Sequence, residues 1–445
     1  MRLADMIGKA CVIWGTGKEG QAAAKMLAAH TPAIPFTFID EQDGPETLPL
    51  NGTDHTIHRG AAMADALNTA DIIIKSPGVS LYHPGLAPLR IRGVPVTSLL
   101  NMWLYAHPDI KVLLVTGTKG KSTTATLLAH TLTKLGKRTA VMGNIGAALG
   151  VDTPQDVDYL ILETSSYQAA TMTAPVTVAV MTSLYPEHLD WHTSLNIYYR
   201  DKANALRHAG RAIIAAEAYQ TLRDTTDVQL NAPLLFNTPV ALHAVGSDIY
   251  NGPIKLGSIT HPALSRHHNM SNVCAVLAVL STLDQNLPAA LKAMADFEGL
   301  PHRLMELGSK AGVLYIDDSI STTPESTIAA LNAYAGRPVA LIAGGHDRGL
   351  PYDVLVTYIT THADIQAVLC LGESGQRLAT ALTQAGYTGT HICDTMDSAV
   401  DCGRKAVAGL KDPAILLSPA ASSFGMFKDY TDRAAAFSRA AGFKR

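Results

Sequence analysis

Net charge is almost absent from this sequence. Its 35 Lys and Arg stand against 38 Asp and Glu, a formal −3 over 445 residues. No bulk field of either sign therefore draws it to nucleic acid or to an anionic membrane, and any anion it holds must be held locally. Cysteine is scarce: Cys11, Cys274, Cys370, Cys393 and Cys402 are scattered, with no CxxC pair and no zinc spacing. That excludes a disulfide framework and points to a reducing compartment. Long apolar runs are missing too. Nothing approaches the ~20 residues that span a bilayer, and the charged opening Met1-Arg2-Leu3-Ala4-Asp5 lacks a secretory core. A cytoplasmic protein, mature as written and without a membrane or nucleic-acid partner, is expected.

What the chain does have is core-forming material. It is 47% hydrophobic and 16% charged, which excludes disorder as the main theme, and its length suits two to four domains. A short β-branched run, a Gly-rich turn and an Ala/Leu-rich helical stretch recur in three blocks, the signature of βαβ units around parallel sheets. The first block opens with the strand Ala10 to Trp14 and the turn Gly15-Thr16-Gly17-Lys18-Glu19-Gly20, with later strands ending at Asp40 and Lys75. The second opens after His107-Pro108-Asp109, with strands at 111–115, 159–162 and 177–181, and ends near Gly299-Leu300-Pro301. The third has strands at 313–318, 339–342 and 414–417 before a terminal helix. The expected fold class is α/β in three domains, at 1–106, 107–300 and 301–445.

Between the strand at 111–115 and the next helix lies Thr116-Gly117-Thr118-Lys119-Gly120-Lys121-Ser122-Thr123. Backbone N–H groups at a helix N-terminus, a lysine for β/γ oxygens and a hydroxyl for Mg²⁺ are what a nucleoside triphosphate needs. The spacing is shortened: GxxxxGK[ST] would want glycine at Val115. The turn at Gly15 matches GxGxxG and has Asp40 at the end of the next strand, which suits a dinucleotide, another ribose diphosphate or a merely structural turn. Glu163, directly after a strand, is placed for a Mg²⁺ ligand or a helix cap. His188, in Pro186-Glu187-His188-Leu189-Asp190, falls at a sheet's C-terminal edge, where ligands of open α/β sheets bind. On their own, His188 reads equally as a hydrogen-bonding structural histidine and Lys202 as a solvated helix lysine.

Taken in order, these segments resemble the Mur ligase family, the ATP-dependent amino acid ligases of peptidoglycan precursor synthesis. The resemblance also rests on Ser76-Pro77-Gly78, Gly143-Asn144-Ile145-Gly146, Glu163-Thr164-Ser165-Ser166-Tyr167-Gln168, His268-Asn269 with Asn272, Gly299-Leu300-Pro301-His302-Arg303 and Leu417-Ser418-Pro419-Ala420. It implies a Rossmann-like UDP-binding domain, a central P-loop ATPase domain and a C-terminal dinucleotide-fold domain that closes over the site. It further implies a monomer whose substrates are ATP, UDP-N-acetylmuramoyl-L-alanine and glutamate. In such ligases ATP converts a carboxylate to an acyl phosphate, which an incoming amine attacks. The physical need is plain, since a carboxylate is a poor electrophile and two anions that meet require cationic compensation.

The resemblance assigns Lys121, Glu163, His188 and Lys202 to catalysis, and Gly117, Thr118, Lys119, Gly120, Lys121, Ser122, Thr123, Asn269, Asn272, Arg303 and Asp318 to ATP. It puts Lys18, Glu19 and Asp40 at the uracil end, Ser76 and Gly78 at the diphosphate and Asn144 at the muramoyl part, which favours UDP over NAD at the Gly15 turn. Two Mg²⁺ sites are implied, with Ser122, Glu163, His188 and a carbamylated Lys202 as ligands. Thr322, Arg348, Ser423 and Phe427 fall where glutamate contacts lie.

One stretch departs from the family's D-glutamate branch. Where that branch reads Asp-Ser-Lys-Ala-Thr-Asn, this chain has Asp318-Ser319-Ile320-Ser321-Thr322-Thr323, and an arginine, Arg348, stands where a carboxylate-binding lysine is usual. Arginine keeps the charge but offers a planar fork, which changes geometry. The pattern looks like a branch that adds L-glutamate, with D-glutamate as the alternative and a separate epimerase implied downstream of L.

Overall fold

The computed structural model describes residues 1–145, 149–150, 154, 156–261, 264, 267–297 and 299–443, with the side chains of His267 and His268 left out. Gly146, expected in the Gly143 motif, lies outside the described residues, as does the side chain of His268. The chain divides into two compact units, Met1–Phe297 and Glu298–Arg445, and carries three sheets.

In the first unit, the β-branched and aromatic run Cys11–Trp14 forms a fully buried strand. It pairs in parallel with Phe36–Ile39 on one side and Ile72–Lys75 on the other. The chain thus leaves the first strand in one direction and returns on the opposite side, and the C-terminal ends of these strands frame a switch-point crevice. Gly15 and Lys75 stand at that edge, one following Trp14 and the other in register with it.

The second sheet of this unit runs, in spatial order, from Ile254–Ser258 through Asp248–Asn251, Leu242–Val245, Leu234–Phe236, Ala209–Ala215, Val176–Met181 and Val112–Thr116 to Tyr159–Glu163 and Thr139–Gly143. Its middle strands are apolar on both faces, as a parallel sheet covered by helices requires. Leu113, Leu114, Leu160 and Ile161 are at most 1% exposed, and truncating one such leucine to alanine would cost ~2–5 kcal/mol. The last three strands at the far edge are antiparallel, turning at Gly246 and Gly252, both at positive φ.

The second unit has a six-stranded sheet ordered Met305–Lys310, Val313–Asp317, Ala414–Leu417, Val339–Gly344, Ile365–Leu371 and Thr390–Cys393. Its first pair is antiparallel and the others are parallel. The terminal helix Tyr430–Ala440 carries Arg433, 1% exposed, whose guanidinium bonds the Ser319 hydroxyl and the carbonyls of Ser319 and Ala421 at 2.8–3.1 Å. No helix among the described residues is long and apolar enough to cross a membrane.

Candidate active site

The phosphate loop is built by two glycines. Gly117 follows the buried strand Val112–Thr116 with φ +141°, and a Cβ there would meet Thr182 Oγ1 at 2.1 Å. Gly120, at φ +84°, caps the helix Lys121–Lys134, and a Cβ there would meet Asn272 Oδ1 at 2.4 Å. Only glycine makes both the left-handed turn and the close approach without strain. The neighbouring strand Val176–Met181 hands its C-terminal residues to the same loop. Thr118 N donates to the Ser183 carbonyl at 2.9 Å, Lys119 N to Ser183 Oγ at 2.9 Å, and Thr182 Oγ1 to the Lys119 carbonyl at 2.6 Å. Thr118 Oγ1 also meets Tyr198 OH at 2.9 Å. The loop is therefore fixed before any ligand arrives.

Three lysines converge on it. Lys121 Nζ donates to the carbonyls of Gly117 and Thr118, both at 3.0 Å. Lys119 pairs with Glu187 at 2.8 Å. Lys202, 2% exposed on the helix Leu195–Arg207, donates to the Gly117 carbonyl at 3.0 Å and lies 5.1 Å from the Tyr198 ring. Burial first, and then the neighbouring Lys121 charge, push the Lys202 amine well below its ordinary pKa. Burial would raise the Glu187 carboxyl, but the Lys119 hydrogen bond and the surrounding cations outweigh it and hold that group low.

Glu163 ends the strand Tyr159–Glu163 and is 3% exposed. Its register partners are Val115, just before the loop, and Gly143. His188 is exposed and left-handed at φ 56°, a conformation that costs a non-glycine residue ~1–2 kcal/mol. It sits 3.5 Å from Glu187 and 4.9 Å from the Tyr167 ring, and the partial desolvation of its ring lowers its pKa. Ser122 is buried on the first turn of the loop helix, with Thr123 partly exposed beside it. Among the described residues no three His, Cys, Asp or Glu side chains gather as a ready-made metal site.

Asn272 reaches the loop from the helix His267–Ser281. It accepts from Thr124 Oγ1 at 3.2 Å and donates to Asn269 Oδ1 at 3.0 Å, which makes the pair a brace for the phosphate loop. Residues that sequence reasoning passed over also converge here. His192 bridges Asp201 at 2.7 Å and Ser166 Oγ at 2.9 Å, and Asp201 accepts from Tyr82 OH at 2.8 Å. Trp191 Nε1 donates to the Pro77 carbonyl at 2.9 Å and its own carbonyl accepts from Ser80 Oγ at 2.6 Å. The Ser76-Pro77-Gly78 loop is thereby clasped to the segment between His188 and Lys202.

At the Gly15 turn, Asp40 is occupied with local structure. It accepts from Thr16 N at 3.0 Å and Thr16 Oγ1 at 2.7 Å, and these bonds hold its carboxyl low against the opposing effect of burial. Ser76 Oγ reaches the Gly15 carbonyl at 3.3 Å. Gly78 faces open space, while Lys18 and Asn144 are exposed. Glu19 turns towards the second sheet, where its Oε1 accepts from Gln168 Nε2 at 2.8 Å.

The remaining expected residues lie in the second unit. Asp318 is 2% exposed and accepts from Ser321 Oγ at 2.5 Å, Ser418 Oγ at 2.7 Å and Leu304 N at 3.1 Å. Burial pushes its pKa up to about 6 despite these bonds. Arg303 and Arg348 are exposed, Ser423 is buried, and Thr322 and Phe427 are half-buried.

Residues 115–280 match the Mur ligase middle domain, and residues 9–98 match the Mur ligase MurD-like N-terminal domain. A Xanthomonas axonopodis pv. citri protein named UDP-N-acetylmuramoyl-L-alanine–L-glutamate ligase is 36% identical, with 100% of this chain and 97% of the relative covered. A protein of the same name from Micromonospora sp. is 37% identical, covering 99% and 98%. In fold, the chain is similar to the UDP-N-acetylmuramate–alanine ligase of Thermotoga maritima, with TM-score 0.55 at 18% identity over 97% of this chain and 98% of that one.

Proposed function

The chain belongs to the Mur ligase family, and from that premise we propose that it joins glutamate, the L-isomer in preference, to UDP-N-acetylmuramoyl-L-alanine, consuming ATP and releasing ADP and phosphate. The observation that carries the chemistry is Lys202, a buried amine with no ion-pair partner among the described residues, hydrogen-bonded to the phosphate loop itself at Gly117. A bare structural lysine has little reason to be desolvated beside a second lysine. The names of the relatives support L-glutamate, as does the altered Ile320 and Arg348 stretch.

In this reading the loop N–H groups and Lys121 take the β- and γ-phosphates, Lys121 exchanging its two carbonyl partners for phosphate oxygens. Lys119 and Lys121 compensate charge as the substrate carboxylate approaches the γ-phosphoryl group. The carboxylate becomes an acyl phosphate, the glutamate amine attacks its carbonyl carbon, and phosphate departs from the tetrahedral intermediate. Lys18, Glu19 and Asp40 would serve the uracil end, Ser76 and Gly78 the diphosphate and Asn144 the muramoyl part. Arg303 and Asp318 would serve ATP, and Thr322, Arg348, Ser423 and Phe427 the glutamate.

The donor set fits magnesium. The Ser122 hydroxyl and the Glu163 carboxylate are the hard oxygen ligands Mg²⁺ prefers, and Lys202, once its neutral amine has added to CO₂ with loss of a proton, would present a third beside His188. Bound there, Mg²⁺ would supply compensation for the charge on the transferring phosphoryl group. The reading is tested by mass spectrometry of the purified protein's products from UDP-N-acetylmuramoyl-L-alanine, ATP, Mg²⁺ and glutamate. A sugar nucleotide heavier by one glutamyl residue supports it, and hydrolysis of ATP without such a product overturns it.

A further inference from the structure

Tyr82, Arg90 and one face of the helix Leu195–Arg207 line a cavity of about 580 Å³, a size within the range of small-molecule sites. The helix contributes Ile197, Arg200, Asp201, Asn204 and Arg207. At about 100° per residue these five share one side of the helix and Lys202 falls on the opposite side, where it bonds Gly117 of the phosphate loop. The cavity is therefore a place of its own, behind the helix that serves the loop. Arg90, Arg200 and Arg207 are exposed at its rim, so a ligand has a way in from solvent.

The polar lining is rich in donors and short of acceptors. Asp201 is the one carboxylate among the lining residues, and both of its oxygens are taken, by Tyr82 OH at 2.8 Å and His192 Nδ1 at 2.7 Å. Asn204 commits its amide nitrogen to the carbonyls of Ala169 and Met172, at 2.9 and 2.6 Å. The arginines are less committed. Arg90 bonds the Leu81 carbonyl and lies 5.7 Å from the Tyr82 ring. Arg200 reaches Asp227 at 3.5 Å, and the Arg207 guanidinium has neither a hydrogen bond nor an ion pair among the described residues. Three guanidinium groups against one occupied carboxylate leave an excess of positive charge and of forked donors, the complement of a phosphate or carboxylate. Leu81, Val94, Val96 and Ile197 add an apolar wall, which a bare inorganic ion would not use. We propose that this cavity is a second ligand site, separate from the phosphate loop, for a small organic molecule that carries an oxyanion on a short apolar body.

The test is calorimetric titration of the full chain with phenyl phosphate, glutarate and inorganic phosphate, with ADP and Mg²⁺ present to occupy the phosphate loop. One site per chain is expected, with phenyl phosphate or glutarate bound at sub-millimolar concentration and inorganic phosphate roughly tenfold weaker for want of an apolar body. Either organic probe supports the site, and the tighter of the two says whether its oxyanion is a phosphate or a carboxylate. In the double variant Arg200→Ala with Arg207→Ala that affinity should fall about tenfold or more, while ADP affinity stays within about twofold and shows the variant to be folded. In Lys121→Ala the affinity for the organic probe should be unchanged. Binding that survives the double arginine substitution, or that disappears in Lys121→Ala, overturns the proposal. So does the failure of both organic probes to bind, or inorganic phosphate binding as tightly as they do.

Discussion

The Lys202 ammonium donates to the carbonyl of Gly117 across 3.0 Å, tying a buried helix residue to the first residue of the phosphate loop. That contact sets the expectations for both partners.

Replacing Lys202 with alanine removes the group proposed to take part in the reaction and leaves the loop's own bonds to Thr182, Ser183 and Tyr198 in place. Ligation should fall below detection in a phosphate-release assay, with ADP affinity by calorimetry within about threefold of wild type. High bicarbonate should not restore activity. Near-normal turnover would remove Lys202 from the chemistry.

Gly117→Ala should be among the most damaging single-methyl changes in the chain. The added carbon collides with Thr182 Oγ1 at 2.1 Å, and φ +141° is strained for any side chain. A loss of about 1–3 kcal/mol in stability is expected, together with a raised KM for ATP and little change in KM for glutamate. Thermal unfolding and steady-state kinetics read the two effects separately.

Asp318 makes stability depend on pH in an unusual direction for a carboxylate. Burial raises its folded pKa to about 6 from an ordinary 3.8, so the folded state holds the proton more tightly than the unfolded one. Its contribution is fully present below pH 3.8 and is lost as pH rises through about 6, up to about 3 kcal/mol in all. Denaturant unfolding of wild type and Asp318→Asn between pH 4 and pH 7 should show the wild type losing ground to the variant as pH rises. A constant difference would contradict the assignment.

Arg348→Ala should raise KM for glutamate roughly tenfold or more, the scale of a charged hydrogen bond lost, and leave the KM values of ATP and the sugar nucleotide within twofold. A change in the ATP value instead would move Arg348 out of the glutamate pocket.

The strands and phosphate turns were legible in the sequence because local chemistry determines them. A β-branched run ending in glycine, as at Val112–Thr116 with Gly117 or Cys11–Trp14 with Gly15, can do little else than turn from strand into helix. The antiparallel edge from Leu242 to Ser258 was not foreseen, since its short, half-exposed strands carry little apolar periodicity and its turns rest on Gly246 and Gly252. Within the candidate site, Lys121 was legible from the glycine-lysine turn at the start of its helix and Glu163 from its place at a strand end, whereas His188 and Lys202 read as ordinary residues until the family resemblance singled them out. Lys75, Trp191, His192 and Asp201 did not stand out, because a lysine closing a strand and an aromatic in a short helix look ordinary until tertiary packing buries them against one another. Glu19 was assigned to the nucleotide only through the family resemblance, and its orientation towards Gln168 depends on a residue 149 positions away.

The central claim is tested most directly by phosphate release from ATP and Mg²⁺ with UDP-N-acetylmuramoyl-L-alanine, run in parallel with L-glutamate and with D-glutamate. Turnover dependent on the sugar nucleotide and on L-glutamate, with D-glutamate slower by at least tenfold, is the predicted result. Turnover with D-glutamate alone would contradict the stereochemical assignment, and silence with both would contradict the proposed ligation itself.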